Sequence, residues 1–185
     1  MTRLATLCLV ALALAGCAAY SLVKIGTHEI DGVYTVETPI QWSKKTEGKL
    51  EIWTVDGVGI EGLYFVKGLR KGETLYRAKP DEKLPKFDPA MKPSEIMEFV
   101  IDSMASRGAV DVEGRGLRPW DFGAHPGFRF ELSFKTGDGL AFEGVAVGAV
   151  IDNELQAVAF TGAAVHYFPK YKDDVESLLR SIKTS

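Results

Sequence analysis

Cysteine is scarce: only Cys8 and Cys17 occur among 185 residues. That excludes a disulfide-dense scaffold and, by itself, a thiolate zinc site. The three histidines, His28, His125 and His166, show no close ligand spacing and no H-E-x-x-H pattern. There is no excess of positive charge. Lys plus Arg total 22 against 25 Asp plus Glu, for a formal charge of −3. The electrostatic footprint of a nucleic-acid binder is therefore missing. The chain has no repeat, no low-complexity run and no G-x-S-x-G nucleophile elbow. Beyond the first residues it has no apolar stretch long enough to span a bilayer. What is present is a globular composition, 46% apolar and 25% charged, at a length that suits one domain.

The N-terminus carries an address. Arg3 precedes the short apolar run Leu4–Gly16, the layout of a secretory signal rather than of a membrane span. The run closes as Leu14-Ala15-Gly16-Cys17, which resembles the lipobox of bacterial lipoproteins. The resemblance implies that residues 1–16 are removed and that Cys17 carries diacylglycerol and an amide-linked acyl chain of palmitate type. Residues 17–29 are then the lipidated cysteine and a short tether, and residues 30–185 a single domain. Ala18 and Ala19 stand where lipoproteins retained in the inner membrane typically carry Asp. By that resemblance the protein is expected on the periplasmic face of a bacterial outer membrane.

Along the rest of the chain, alternation predicts strands at Ile30–Thr38, Gly48–Val55 and Ile60–Val66. Residues 67–92 are polar and proline-rich, a candidate rim loop with a short strand at Thr74–Arg77. Pro93 opens a helix whose apolar stripe is Ile96, Met97, Val100, Ile101 and Met104. Phe128, Phe130, Leu132 and Phe134 alternate with Arg129, Glu131, Ser133 and Lys135, which predicts a strand with one core face and one wet face. Turns at Gly137-Asp138-Gly139 and Asp152-Asn153-Glu154 make a meander of this strand, Leu140–Ile151 and Leu155–Phe160. Val165–Phe168 reads as a further strand. A closing helix over Lys170–Ser181, with Asp173 and Glu176 as a capping box, presents Val175, Leu178, Leu179 and Ile182.

Two helices and about seven strands with no βαβ series give an α+β class, a largely antiparallel sheet covered by helices. From Ile30 to Ile182 the pattern resembles the PsbP-like/Mog1-like α-β-α sandwich family. The resemblance rests on Tyr34, Pro39 and Trp42 near the start. At the other end it rests on the hairpin and aromatic-rich strand before the helix KDDVESLLRSIK. It implies a non-enzymatic binding, assembly or accessory protein.

The remaining motifs offer little chemistry. Gly57-Val58-Gly59-Ile60-Glu61-Gly62 matches G-x-G-x-x-G, but a strand-like LYFV follows where a dinucleotide site needs a helix. His28, Glu29 and Asp31 suggest the polar start of a strand rather than a metal site. Asp121 and His125 lie four apart in RPWDFGAHPG, which reads as a loop. They frame an alternative, a small hydrolase; a purely structural envelope role is another. The same loop sets Trp120 and Phe122 among turn formers, so Arg118, Trp120, Asp121, Phe122 and His125 form the candidate binding surface. No catalytic residue, metal or cofactor is expected. The expected function is that of a lipid-anchored envelope protein holding a protein partner or a small apolar ligand, with no nucleic acid.

Overall fold

A computed structural model describes residues 20–184. The signal and Cys17 lie outside the described residues.

The meander read from the sequence forms the centre of the fold. Residues His125–Lys135 (β8), Ala141–Ile151 (β9) and Glu154–Ala163 (β10) are consecutive antiparallel strands. Asp152 and Asn153 both take positive φ, 51° and 64°, as a two-residue hairpin between right-twisted strands requires. The sheet grows on both sides of this meander. Val110–Phe122 (β7) pairs with β8, and Glu61–Leu69 (β6) pairs with β10. Leu50–Thr54 (β5), Trp42–Glu47 (β4) and Ser21–Val23 (β1) continue outward from β6. The result is eight antiparallel strands in the order β1-β4-β5-β6-β10-β9-β8-β7. A second sheet holds Gly26–Ile30 (β2), Tyr34–Thr38 (β3) and Lys183–Thr184 (β11) in the order β11-β3-β2.

Alternation on the central strands divides the core in two. Leu63, Phe65, Val145, Val147, Val158 and Phe160 face one side. The small sheet and helix α2 (Tyr167–Arg180) close over them with Tyr34, Val175, Leu178 and Leu179. Val66, Phe128, Phe130, Leu132, Ala146 and Leu155 face the other side, under helix α1 (Pro93–Ala105). Ile96, Phe99 and Met104 of α1 are buried there. Pro93 opens α1, and the Glu95 carboxylate accepts the Lys92 N–H at 2.7 Å.

Several boundaries differ from the sequence reading. The fold begins ahead of Ile30: Ser21–Val23 pairs with β4 and Gly26–Ile30 with β3, so part of the expected tether is sheet. Val23 and Ile30 are buried, which supplies the reason. Thr74–Arg77 forms no strand, although the segment is not a loose rim. Leu75 and Phe87 are buried, and Gly72 and Phe87 N–H groups donate to Phe87 and Glu73 carbonyls at 2.8 and 2.9 Å. Val165–Phe168 is a turn entering a helix, with Val165 93% exposed. Helix α2 thus starts at Tyr167, and Asp173 lies inside it instead of capping it. The early start is fixed from outside. Asp56, beyond the end of β5, accepts hydrogen bonds from Lys170 Nζ at 2.8 Å and Tyr171 Oη at 2.5 Å.

Candidate functional site

Small residues thin the α1-facing side of the sheet. On β9, Gly144, Ala146 and Gly148 alternate with Val145, Val147 and Ala149 on the other face. On β10, Ala157 and Ala159 alternate with Val158 and Phe160. Gly148 is required by close approach: a Cβ there would lie 2.8 Å from the Gln156 carbonyl and 2.9 Å from the Phe128 ring. The space above these residues is a cavity of about 420 Å³ between α1 and the sheet. Its floor is Ala146, Ala157 and Ala159, and its walls include Phe128, Phe130 and Met104. β10 is the fifth of eight strands, yet Ala157 and Ala159 are only half-buried. Solvent therefore reaches the middle of the sheet through this cavity.

The polar side chains lining the cavity are few: Tyr64, Tyr76, Arg107, Thr136 and Thr161. Burial pushes the Tyr76 phenol up to about 12 and raises Tyr64 as well, so both hydroxyls are neutral across the physiological range. Arg107, just past α1, lies 5.6 Å from the Tyr76 ring centroid. It donates to Glu82 Oε1 at 3.1 Å and to the Arg77 carbonyl. One guanidinium thereby holds the 70–92 segment to the end of α1.

The predicted surface residues lie elsewhere, around the β7–β8 hairpin. The stretch read as a loop is the end of β7, an edge strand with register shifts at Val110/Glu113 and Arg115/Arg118. Phe122 is corrected by its burial: it is 0% exposed and packs edge-on against Tyr34 at 4.9 Å, so it plugs the core. Trp120 is half-buried, with the Arg129 and Arg180 guanidinium carbons 4.9 and 5.8 Å from its ring. Arg118 is exposed, donates to the Gly116 carbonyl and stands 3.9 Å from Glu131. Trp120 and Arg118 border a second groove of about 420 Å³, between α2 and the outer strands. This groove is polar and includes Arg115, together with Arg129, Lys172 and Arg180, the last three of which were not singled out from the sequence as site residues. The alternation of Arg129 and Glu131 was the available signal for this wet face.

The hydrolase arrangement is not assembled. His125 pairs directly with Phe122 across the hairpin, so the two share a face. Asp121 is exposed and, as the neighbour of Phe122 on the strand, points to the opposite face. The G-x-G-x-x-G stretch is a turn and the start of β6, with no helix following. Glu61, fully buried, accepts from Thr54 Oγ1 and the Val55 and Asp56 N–H groups at 2.5, 2.6 and 2.8 Å. The acid organises the turn itself. His28 Nε2 bonds the Lys24 carbonyl at 2.6 Å, and its ring stands edge-on to Trp53. Among the described residues, no three His, Cys, Asp or Glu side chains gather as metal ligands.

No family model and no curated protein matches the chain. The solved structures do. The solution structure of cyanobacterial PsbP (CyanoP) from Synechocystis sp. PCC 6803 superposes with a TM-score of 0.58 at 13% identity, covering 94% of this chain and 96% of that one. The fold is a PsbP/Mog1-like sandwich. LpqN of Mycobacterium tuberculosis, described as involved in cell envelope biogenesis, aligns over 93% of this chain and 87% of its own at 8% identity and a TM-score of 0.42. Within the PsbP-like sandwich, the large antiparallel sheet and its two covering helices match the α+β architecture expected from the sequence.

Proposed function

We propose that this chain is a non-catalytic binding protein that holds a small apolar ligand in the cavity between α1 and the sheet. The observation that carries the reading is the half-buried pair Ala157 and Ala159 in the centre of the sheet, under an apolar cavity of about 420 Å³. A cavity of this size falls in the range of small-molecule sites, on the order of 300–1,000 Å³. Its walls are aromatic and aliphatic, so the ligand is recognised by burial of apolar surface. The few hydroxyls near Tyr64, Tyr76 and Thr136 suit a ligand with a neutral polar end.

The test is a titration of the full chain with Nile red, a neutral dye that brightens and shifts to the blue in apolar surroundings. A saturable response at one dye per chain is expected, lost on Ala159→Leu. Emission no different from that of the dye in buffer would refute the reading.

The location belongs to the same proposal. The Leu14-Ala15-Gly16-Cys17 stretch supports export and lipid attachment at Cys17, hence a place in the bacterial envelope on the periplasmic side of the outer membrane. Three acyl chains hold a protein far more firmly than one, each buried CH₂ contributing about 0.8 kcal/mol. The mass of the mature N-terminal peptide checks this: it begins at Cys17 and carries diacylglycerol. A mature start elsewhere, without lipid mass, would refute the anchor while leaving the cavity reading intact.

A further inference from the structure

We propose that the groove between α2 and the β7–β8 hairpin binds a phosphate group, carried either by a soluble ester or by a lipid headgroup. The groove is built where like charges are set against each other. Arg118 and Arg129 are directly opposed on neighbouring strands, and Arg129 and Arg180 both lie against the Trp120 ring. Placing like charges directly opposite is destabilising in a sheet. Violations of this kind concentrate at functional sites.

The local acids do not neutralise the cluster. Glu176 is committed to Arg129, accepting from Nη1 at 3.0 Å and from Nη2. Glu131 stands 3.9 Å from Arg118, and Glu143 lines the groove from β9. Arg115, Lys172 and Arg180 make no ion pair among the described residues. Two buried donors at the same wall, Arg129 Nε and Trp120 Nε1, have no acceptor among the described protein groups. Arg129 itself is 6% exposed, so its charge is fixed in place and little screened.

Two guanidiniums against one indole, with Arg118 directly opposite Arg129 on the neighbouring strand, suit a single anion with several oxygens better than carboxylates spaced along a chain. Strand addition of a peptide is opposed by the edge itself. β7 carries Pro119 and two register shifts, the features that keep natural edges from pairing. Glu131 and Glu143 leave the anion the end of the groove near Trp120.

The test uses the full chain, with the Trp120 indole N–H resonance and calorimetric heat as readouts. The probes are glycerol 3-phosphate and vesicles of phosphatidylglycerol, with phosphatidylcholine vesicles as control. Saturable binding is expected, weakened about tenfold or more by R118Q with R180Q. Both residues are exposed, so an unchanged melting curve verifies folding. A response to the soluble ester assigns a phosphate ester. A response to phosphatidylglycerol alone, equally sensitive to the two substitutions, assigns a headgroup. Silence toward both probes overturns the proposal, as does a double variant that binds like the parent. Capture of an oligoglutamate peptide without any phosphate response also overturns it, in favour of an acidic protein partner.

Discussion

Replacing Ala159 with Leu asks whether the space under α1 is open. Ala159 lies on β10 opposite Tyr64 of β6 and Ala146 of β9, with its methyl toward the cavity. The substitution adds three carbons. At about 0.8 kcal/mol per buried methylene they contribute about 2.4 kcal/mol, and ordering the leucine costs about 0.5–1 kcal/mol. A net gain of about 1.5–2 kcal/mol follows, an increase of about 3–8 °C in Tm for a domain of this size. A closed, well-packed core behaves in the opposite way: added methylenes there cost about 1–3 kcal/mol. The sign of the change in chemical or thermal unfolding therefore separates the two cases. A destabilised Ala159→Leu that still binds Nile red like the parent would refute both the openness of the cavity and its use.

Other perturbations follow from the packing. Leu178→Ala, at a 0% exposed position of α2, lowers unfolding stability by about 2–5 kcal/mol, and a loss below about 0.5 kcal/mol would contradict the helix-on-sheet contact. Phe122→Ala costs about 3–5 kcal/mol in the same measurement; an unchanged variant would return Phe122 to the surface. Glu176→Ala leaves the buried Arg129 without its carboxylate and costs about 3 kcal/mol; indifference would show that the pair is solvated. Lys170 and Tyr171 hold the Asp56 carboxyl below its ordinary value of 3.8. Its contribution is complete above that pH and fades as the pH falls through the lower folded-state value. The gap in Tm between the parent and Asp56→Asn is therefore wide at about pH 7 and narrows as the solution is made more acidic than the ordinary carboxylate range; a pH-independent gap would refute the clasp.

The elements legible from the sequence are those in which one face is continuously apolar. Phe128 to Phe134 alternate without interruption, and Pro93 followed by Ile96, Val100 and Met104 leaves no other reading than a helix. β7 was hidden because an edge strand tolerates what an inner strand does not. Gly114, Gly116 and Pro119 signal turns, yet at an edge they leave the ladder to β8 workable around its register shifts. The start of α2 was hidden because its anchor, Asp56, is more than a hundred residues away in the chain. The cavity left only a faint trace. Alanines and glycines at alternate positions of β9 and β10 are equally compatible with tight packing. Their meaning depends on α1, whose end at Ala105 lies far from them in sequence. Trp120 and Arg118 were legible as a pair. Their companions Lys172 and Arg180 come from a helix whose polar face carries no distinctive pattern.

β11 is two residues long, but it determines when the molecule can close. Lys183 and Thr184 pair with Thr35 and Tyr34, and the Thr184 hydroxyl accepts the Ala124 N–H at 3.0 Å, beside the turn glycine Gly123. The same few atoms join the earliest sheet to the tip of the β7–β8 hairpin. β6 likewise waits for β10. Pairings this distant along the chain must close large loops first, which makes folding slow. The first six strands find partners among themselves, but β6 gains its second neighbour only from β10 and β3 only from β11. Any delay in folding is thus written into the connectivity of the sheets, with no need for a weak core.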